Sequence, residues 1–158
     1  MFCEHSVKWV YRLEENFFWD SGLDIKQDYA FKDKTGVVRL ILERGGRITV
    51  TRGYAWNGCS PKFCIFDILI GIPDGVVDSR TGKPKTYYAS LVHDALYQFV
   101  PDGLPLKQHD ADKCFLRLMN ATGFRLRIFY FSFVWLLGAL VWLAKRHVRK
   151  TVGKAVPL

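Results

Sequence analysis

Between residue 113 and the end of the chain there is not one aspartate or glutamate. The same stretch holds nine cations: Lys113, Arg117, Arg125, Arg127, Lys145, Arg146, Arg149, Lys150 and Lys154. They exceed the whole net charge of +8, so the first 112 residues are close to neutral. An end with no acid cannot neutralise itself and must meet solvent or a polyanion, either nucleic acid or an anionic membrane. Zinc-site spacing is also absent. The four cysteines (Cys3, Cys59, Cys64, Cys114) form no C-x-x-C, which excludes zinc fingers and ribbons. The opening "MFCEHSVKWVYRL" carries Glu4 and no apolar stretch of seven residues, so it is not read as a secretory signal. Reduced cysteines and synthesis in the cytoplasm are the expectation, with a Cys59–Cys64 bridge as the alternative. Repeats, low-complexity tracts and an interdomain linker are all missing, which excludes solenoids and arrays.

What is present reads as an α+β chain. Residues 7–55 are β-rich: "VKWVYRL" and "FFWD" carry β-branched and aromatic residues. "DKTG" at 33–36 and "RGG" at 44–46 are turn signals. They bracket a hairpin of 37–43 with 47–55, in which Ile48 and Val50 alternate with Arg47, Thr49 and Thr51. "WNGCSPKF" from 56 is loop-like, and "CIFDILIGIP" is either a helical turn or a buried strand. "DGVVDSRTGKPK" is a polar loop. One helix is expected over 86–100, with Ala89, Val92, Leu96 and Phe99 at helical spacing. A second starts near 108–110, where an aspartate can cap it, and stops at Gly123. Its apolar face is Ala111, Cys114 or Phe115, Leu118 and Met119.

Residues 128–144, "IFYFSFVWLLGALVWLA", carry no charge over seventeen positions. As a helix they reach roughly 25 Å, slightly short of a hydrocarbon core of about 30 Å. Apolar all round, the helix must be buried on every side or touch lipid. The expected organisation is one α+β domain over 1–127, this helix over 128–145, and a basic tail over 146–158. The tail lacks a DNA-binding pattern and interleaved aromatics, so a phospholipid surface is the expected partner and nucleic acid is not.

His93 and Asp94 stand side by side in the apolar first helix, with Tyr97 one turn on. An ionisable pair in such a place must be paired or used. Asp112 on the second helix comes within reach of His93 if the two helices run antiparallel. A carboxylate on one ring nitrogen sets the tautomer and leaves the other nitrogen to accept a proton from water. Asp94 is then free for a cation, and the loop "GYAWNGCSP" can turn carbonyls onto Ca²⁺ or N–H groups onto an oxyanion. Asp110 is the competing orienting acid. A His93/His109/Asp112 zinc site and a Cys59 nucleophile are further alternatives from the residues alone.

His93-Asp94-x-x-Tyr97, a following helix with Asp112, and a preceding loop from Tyr54 to Gly58 resemble the phospholipase A2 enzymes. The resemblance implies His93 as the base, Asp112 as its orienter, Tyr97 as support, and Ca²⁺ held by Asp94 with carbonyls near Trp56 and Gly58. The loop departs from the x-G-x-G spacing, with only Gly58 well placed and Gly53 outside it, and the cysteines that flank the H-D pair in secreted enzymes are absent. "GYAWNGCSPKF", "ASLVHDALYQ" and "ADKCFLRLM" together are similar to a phage and prophage family catalogued as domain of unknown function 1353, over roughly residues 35–145. That likeness implies a phage or prophage setting and no particular reaction. Two functions follow as expectations: a Ca²⁺-dependent phospholipase A2-like esterase acting on membrane lipid, or a non-enzymatic virion or membrane-associated protein, partnered by other phage structural proteins, whose His-Asp pair is structural. A prophage membrane protein acting on the host envelope is a third.

Overall fold

The computed structural model describes residues 11–58, 62–65, 68–71, 76–148 and 156–157. The N-terminal half is β and the rest is three helices, an α+β layout. The hairpin β4 (Val38–Leu42) and β5 (Arg47–Val50) is its centre. Leu40, Leu42, Ile48 and Val50 alternate along these strands and all point into the core, none with any exposed surface. β2 (Phe17–Asp20) lies against β5, β3 (Tyr29–Lys32) against β4, and β9 (Val156–Pro157) against the outer edge of β3. Every pairing in this five-stranded sheet is antiparallel. A proline in β9 is tolerated because it sits on an edge. The β4–β5 turn needs glycine at Gly46: its φ is +102°, and a Cβ there would meet the Leu23 carbonyl oxygen at 2.5 Å.

The expected second strand of the hairpin, 47–55, is broken. After β5 the chain turns at Arg52 and Gly53, and β6 (Ala55–Trp56) pairs instead with β1 (Tyr11–Arg12) in a separate ladder. The reason is the bond pair Leu13 N–H to Tyr54 O and Gly53 N–H to Leu13 O, both 2.8 Å, which pulls the segment toward the N-terminal strand. The apolar run "CIFDILIGIP" at 64–73, open between helical turn and buried strand, contributes to two short strands: β7 (Lys62–Ile65), which starts two residues earlier inside the expected loop, pairs antiparallel with β8 (Ile68–Gly71). β3 carries little strand pattern of its own, because its two buried residues, Ala30 and Phe31, are adjacent and do not alternate.

α1 (Tyr87–Gln98) packs on β4 and β5, α2 (Gln108–Ala121) on α1, and α3 (Arg127–Val148) on α2. The expected faces are the buried ones, and both Cys114 and Phe115 are inside. α2 starts with Asp110 accepting the Lys107 N–H at 3.1 Å, reaching back from the first turn rather than standing at the cap itself. Phe31 and Phe99, with ring centroids 5.5 Å apart, join sheet to helix end.

α3 is buried on one face only. Gly138 lets it approach α1 closely: a Cβ there would lie 2.4 Å from the Tyr97 hydroxyl oxygen and 3.4 Å from Gln108 Nε2. Gly138→Ala is therefore expected to destabilise by about 1–3 kcal/mol through overpacking, read as a lowered midpoint in urea unfolding. A midpoint at or above that of the wild type would mean that α3 is not seated there.

Candidate functional site

The α1–α2 contact is built on one buried carboxylate. Asp112 has no exposed surface. His93 Nε2 lies 3.0 Å from its Oδ1, the Tyr97 hydroxyl donates to the same oxygen at 2.8 Å, and Gln108 Nε2 donates to Oδ2 at 3.1 Å. An ionised carboxylate only accepts, so His93 must be the donor on Nε2. That leaves Nδ1 as the other nitrogen, on the side of Asp94, whose Oδ1 is 3.9 Å away. At that distance it is a charge contact and not a hydrogen bond. His93 meets Asp112 and Tyr97 meets Gln108, partners that run in opposite sequence order, so the helices are antiparallel.

Helical spacing explains the assembly. His93 and Tyr97 are four apart on α1, and Gln108 and Asp112 are four apart on α2, so each pair shares a face. The His93 and Tyr97 rings lie 4.2 Å apart between centroids, tilted by 33°, and Phe115 closes on His93 at 5.2 Å. Burial by itself would lower the His93 pKa. The Asp112 hydrogen bond, then the Asp94 contact and both charges, outweigh it, and the value is raised. Burial raises the Asp94 pKa, against the pull of His93 and Lys145. Burial and the Asp112 charge keep the Tyr97 hydroxyl protonated as a donor.

His93, Asp94 and Tyr97 line a cleft of about 540 Å³. One wall is the 53–56 turn with Tyr54 and Trp56. The facing wall is α3, through Val134, Leu137, Gly138, Val141 and Lys145. Lys145 donates to the Tyr97 carbonyl at 3.0 Å. Burial lowers its pKa, and the charge of Asp94 opposes that. At the far end Arg39 is already paired to Asp33, at 2.7 Å.

The residues singled out by sequence thus divide. His93, Asp94, Tyr97 and Asp112 come together. Trp56 lines the cleft with a fully buried ring whose Nε1–H donates to Ser90 Oγ at 3.1 Å, which pins the 53–56 turn to α1. Gly58 is buried at φ +77° and is not a lining residue. Asp110 caps α2 and does not compete for His93. His109 is exposed while His93 and Asp112 are buried, so the three cannot share a zinc ion. Cys59, and the side chain of Cys64, lie outside the described residues. Ca²⁺ takes six to eight oxygens. Asp94 offers one carboxylate beside the ammonium of Lys145, and among the described residues no three His, Cys, Asp or Glu side chains cluster. This donor set does not fit Ca²⁺. Two cations line the cleft, Lys145 and Arg39, and Arg39 is taken by Asp33.

Sequence reasoning missed Gln108 and Lys145. Gln108 had a signal, one turn before Asp112 on the same face. Lys145 had none, because only packing of α3 brings it back to Tyr97. No family model, curated protein or solved structure matches the chain.

Proposed function

We propose that this is a phage or prophage esterase of the phospholipase A2 type, hydrolysing lipid esters in the cleft with His93 as general base. The observation that carries the reading is the orientation of one ring: Nε2 is held by buried Asp112 at 3.0 Å, the opposite nitrogen is 3.9 Å from Asp94 Oδ1, and His93 and Asp94 both line a cleft with an apolar wall. In the reaction, neutral His93 Nδ1 takes a proton from water. The hydroxide attacks the ester carbonyl carbon, and the imidazolium returns the proton to the alkoxide as the C–O bond breaks. Asp112 supports the transient imidazolium, Tyr97 and Gln108 hold Asp112, and Lys145 faces the developing oxyanion as a positive charge. The acyl chain lies along Val134, Leu137 and Val141.

The test is hydrolysis of a water-soluble short-chain ester by the purified chain, followed against pH and with chelator. The base works only when neutral. Its pKa is raised, so the rate should climb with pH through an apparent pKa above 6.5. The stability due to the His93–Asp112 pair runs the other way: it is fully present below 6.5 and is lost as pH rises through the folded value. Chelator should leave the rate unchanged. Loss of rate on chelation would restore Ca²⁺, and an absence of turnover at every pH would remove the esterase.

A second reading has its own observation. Three donors converge on Asp112, and Gln108 Nε2 also donates to the Trp135 carbonyl at 3.2 Å, so the network knits α1, α2 and α3 together. A non-enzymatic phage structural protein would need only that. His93→Ala would then lower the melting temperature, with no activity to lose.

A further inference from the structure

The two faces of α3 are both apolar but have different neighbours. Tyr130, Val134, Gly138 and Trp142, four apart, are buried on the other helices, and Trp142 meets Tyr97 edge-on at 4.9 Å. At about 100° per residue, Phe129, Phe133, Leu136, Leu140 and Leu143 lie on the opposite side. Leu136 is 64% exposed and Leu140 69%. Ser132, the one hydroxyl there, bonds back to the Ile128 carbonyl at 2.9 Å. A water-facing helix carries polar residues on such a face. A core helix would be mostly buried, yet only 22% of the apolar window within Arg127–Arg146 is.

We infer that this outward face docks on an anionic phospholipid bilayer with the axis of α3 lying in the membrane plane. The charges choose the occupant. Exposed Arg125 stands before the apolar run and exposed Arg146 after it, and no acid follows Asp112. Anionic headgroups complement cations at both ends. A second copy, in either direction, would set these basic ends against one another with no acid from 113 onward to offset them.

The seat of α3 chooses the orientation. Its 22 residues could reach about 33 Å, enough to cross. Its inner side, however, is bonded to the globule through Gln108 to the Trp135 carbonyl and Lys145 to the Tyr97 carbonyl. Crossing would drag α1 and α2, with exposed His109 and Lys113, into hydrocarbon, where charge is strongly opposed. Lying flat keeps those contacts and immerses only the outer stripe. If the esterase reading holds, the cleft walled by the inner side of α3 opens beside the lipid it consumes; the docking itself does not depend on that reading.

The full chain is sedimented with vesicles of phosphatidylcholine alone, or with about one quarter phosphatidylglycerol. Binding is expected with the anionic vesicles and should weaken roughly tenfold or more in Leu136→Glu/Leu140→Glu, whose carboxylates meet both acyl chains and anionic headgroups. Both positions are exposed, so the variant should keep the wild-type melting temperature and its rate on the water-soluble ester. Trp135, 54% exposed at mid-helix, reports depth. Taken as the difference from Trp135→Phe, its fluorescence should be quenched by lipids brominated near the carbonyl more than by those brominated near the methyl end. Absence of binding to anionic vesicles, binding indifferent to the two glutamates, or deeper quenching by methyl-end bromines would each overturn the inference. So would a lipid-free dimer that the glutamates dissociate. Failure of the esterase alone would leave vesicle binding intact.

Discussion

His93→Ala should reduce kcat/KM for ester hydrolysis by roughly 10²- to 10⁴-fold, the usual size of a general base. In the proposed reaction the imidazole passes a proton between water and the leaving oxygen, while its Nε2 is committed to Asp112 at 3.0 Å. Removing the ring also removes packing on Tyr97 and Phe115, so the folded fraction must be measured beside the rate. His93→Asn separates the two effects: it restores an N–H beside Asp112 but cannot take up a proton near neutral pH. It should be nearly as inactive as His93→Ala, more stable, and without the rise in residual rate above pH 6.5. A rate unchanged by either substitution would remove His93 from the chemistry and leave the network reading.

The largest stability effect is expected at Asp112. Asp112→Ala leaves His93 Nε2–H, the Tyr97 hydroxyl and one bond of Gln108 without their acceptor at a fully buried position. Removing one partner from such a network costs about 3–5 kcal/mol, a large part of a typical 5–15 kcal/mol stability. In a chain of this size the melting temperature should fall by roughly 6–20 °C. Asp112→Asn keeps the shape and should cost less. Its activity should still fall by about two orders of magnitude or more, because an amide neither fixes the tautomer nor supports the imidazolium. The acid limb of the rate should also move toward lower pH, since Asp112 is the first of the groups that raise the His93 pKa. A melting temperature within a degree or so of wild type for Asp112→Ala would contradict the buried network.

Patterning along the chain sufficed wherever the determining contacts are local. The alternation through Ile48 and Val50, the glycine turn at 44–46, and the spacing of Ala89, Val92, Leu96 and Phe99 each report which face is buried, and the hairpin and helices follow. The same spacing placed His93 with Tyr97. Asp112 was legible because a short connection, residues 99–107, returns α2 along α1. Beyond such local rules the sequence carried less. Nothing in "RITVTRGYAW" announces that Tyr54 bonds Leu13 and breaks the strand. The 64–73 run is too short for periodicity to separate strand from helix.

Residue order alone determined the α+β layout, the His93–Asp94–Tyr97 face, and a cationic end without acids, because these depend on periods of two and about four residues and on composition. Tertiary structure decided three things: that Asp112 and not Asp110 meets His93, that Lys145 returns to the cleft beside Asp94, and that α3 is buried on one side only. Each depends on how one helix is rotated against another, and that rotation is set by close fits such as Gly138 against Tyr97, which no spacing within a single element encodes.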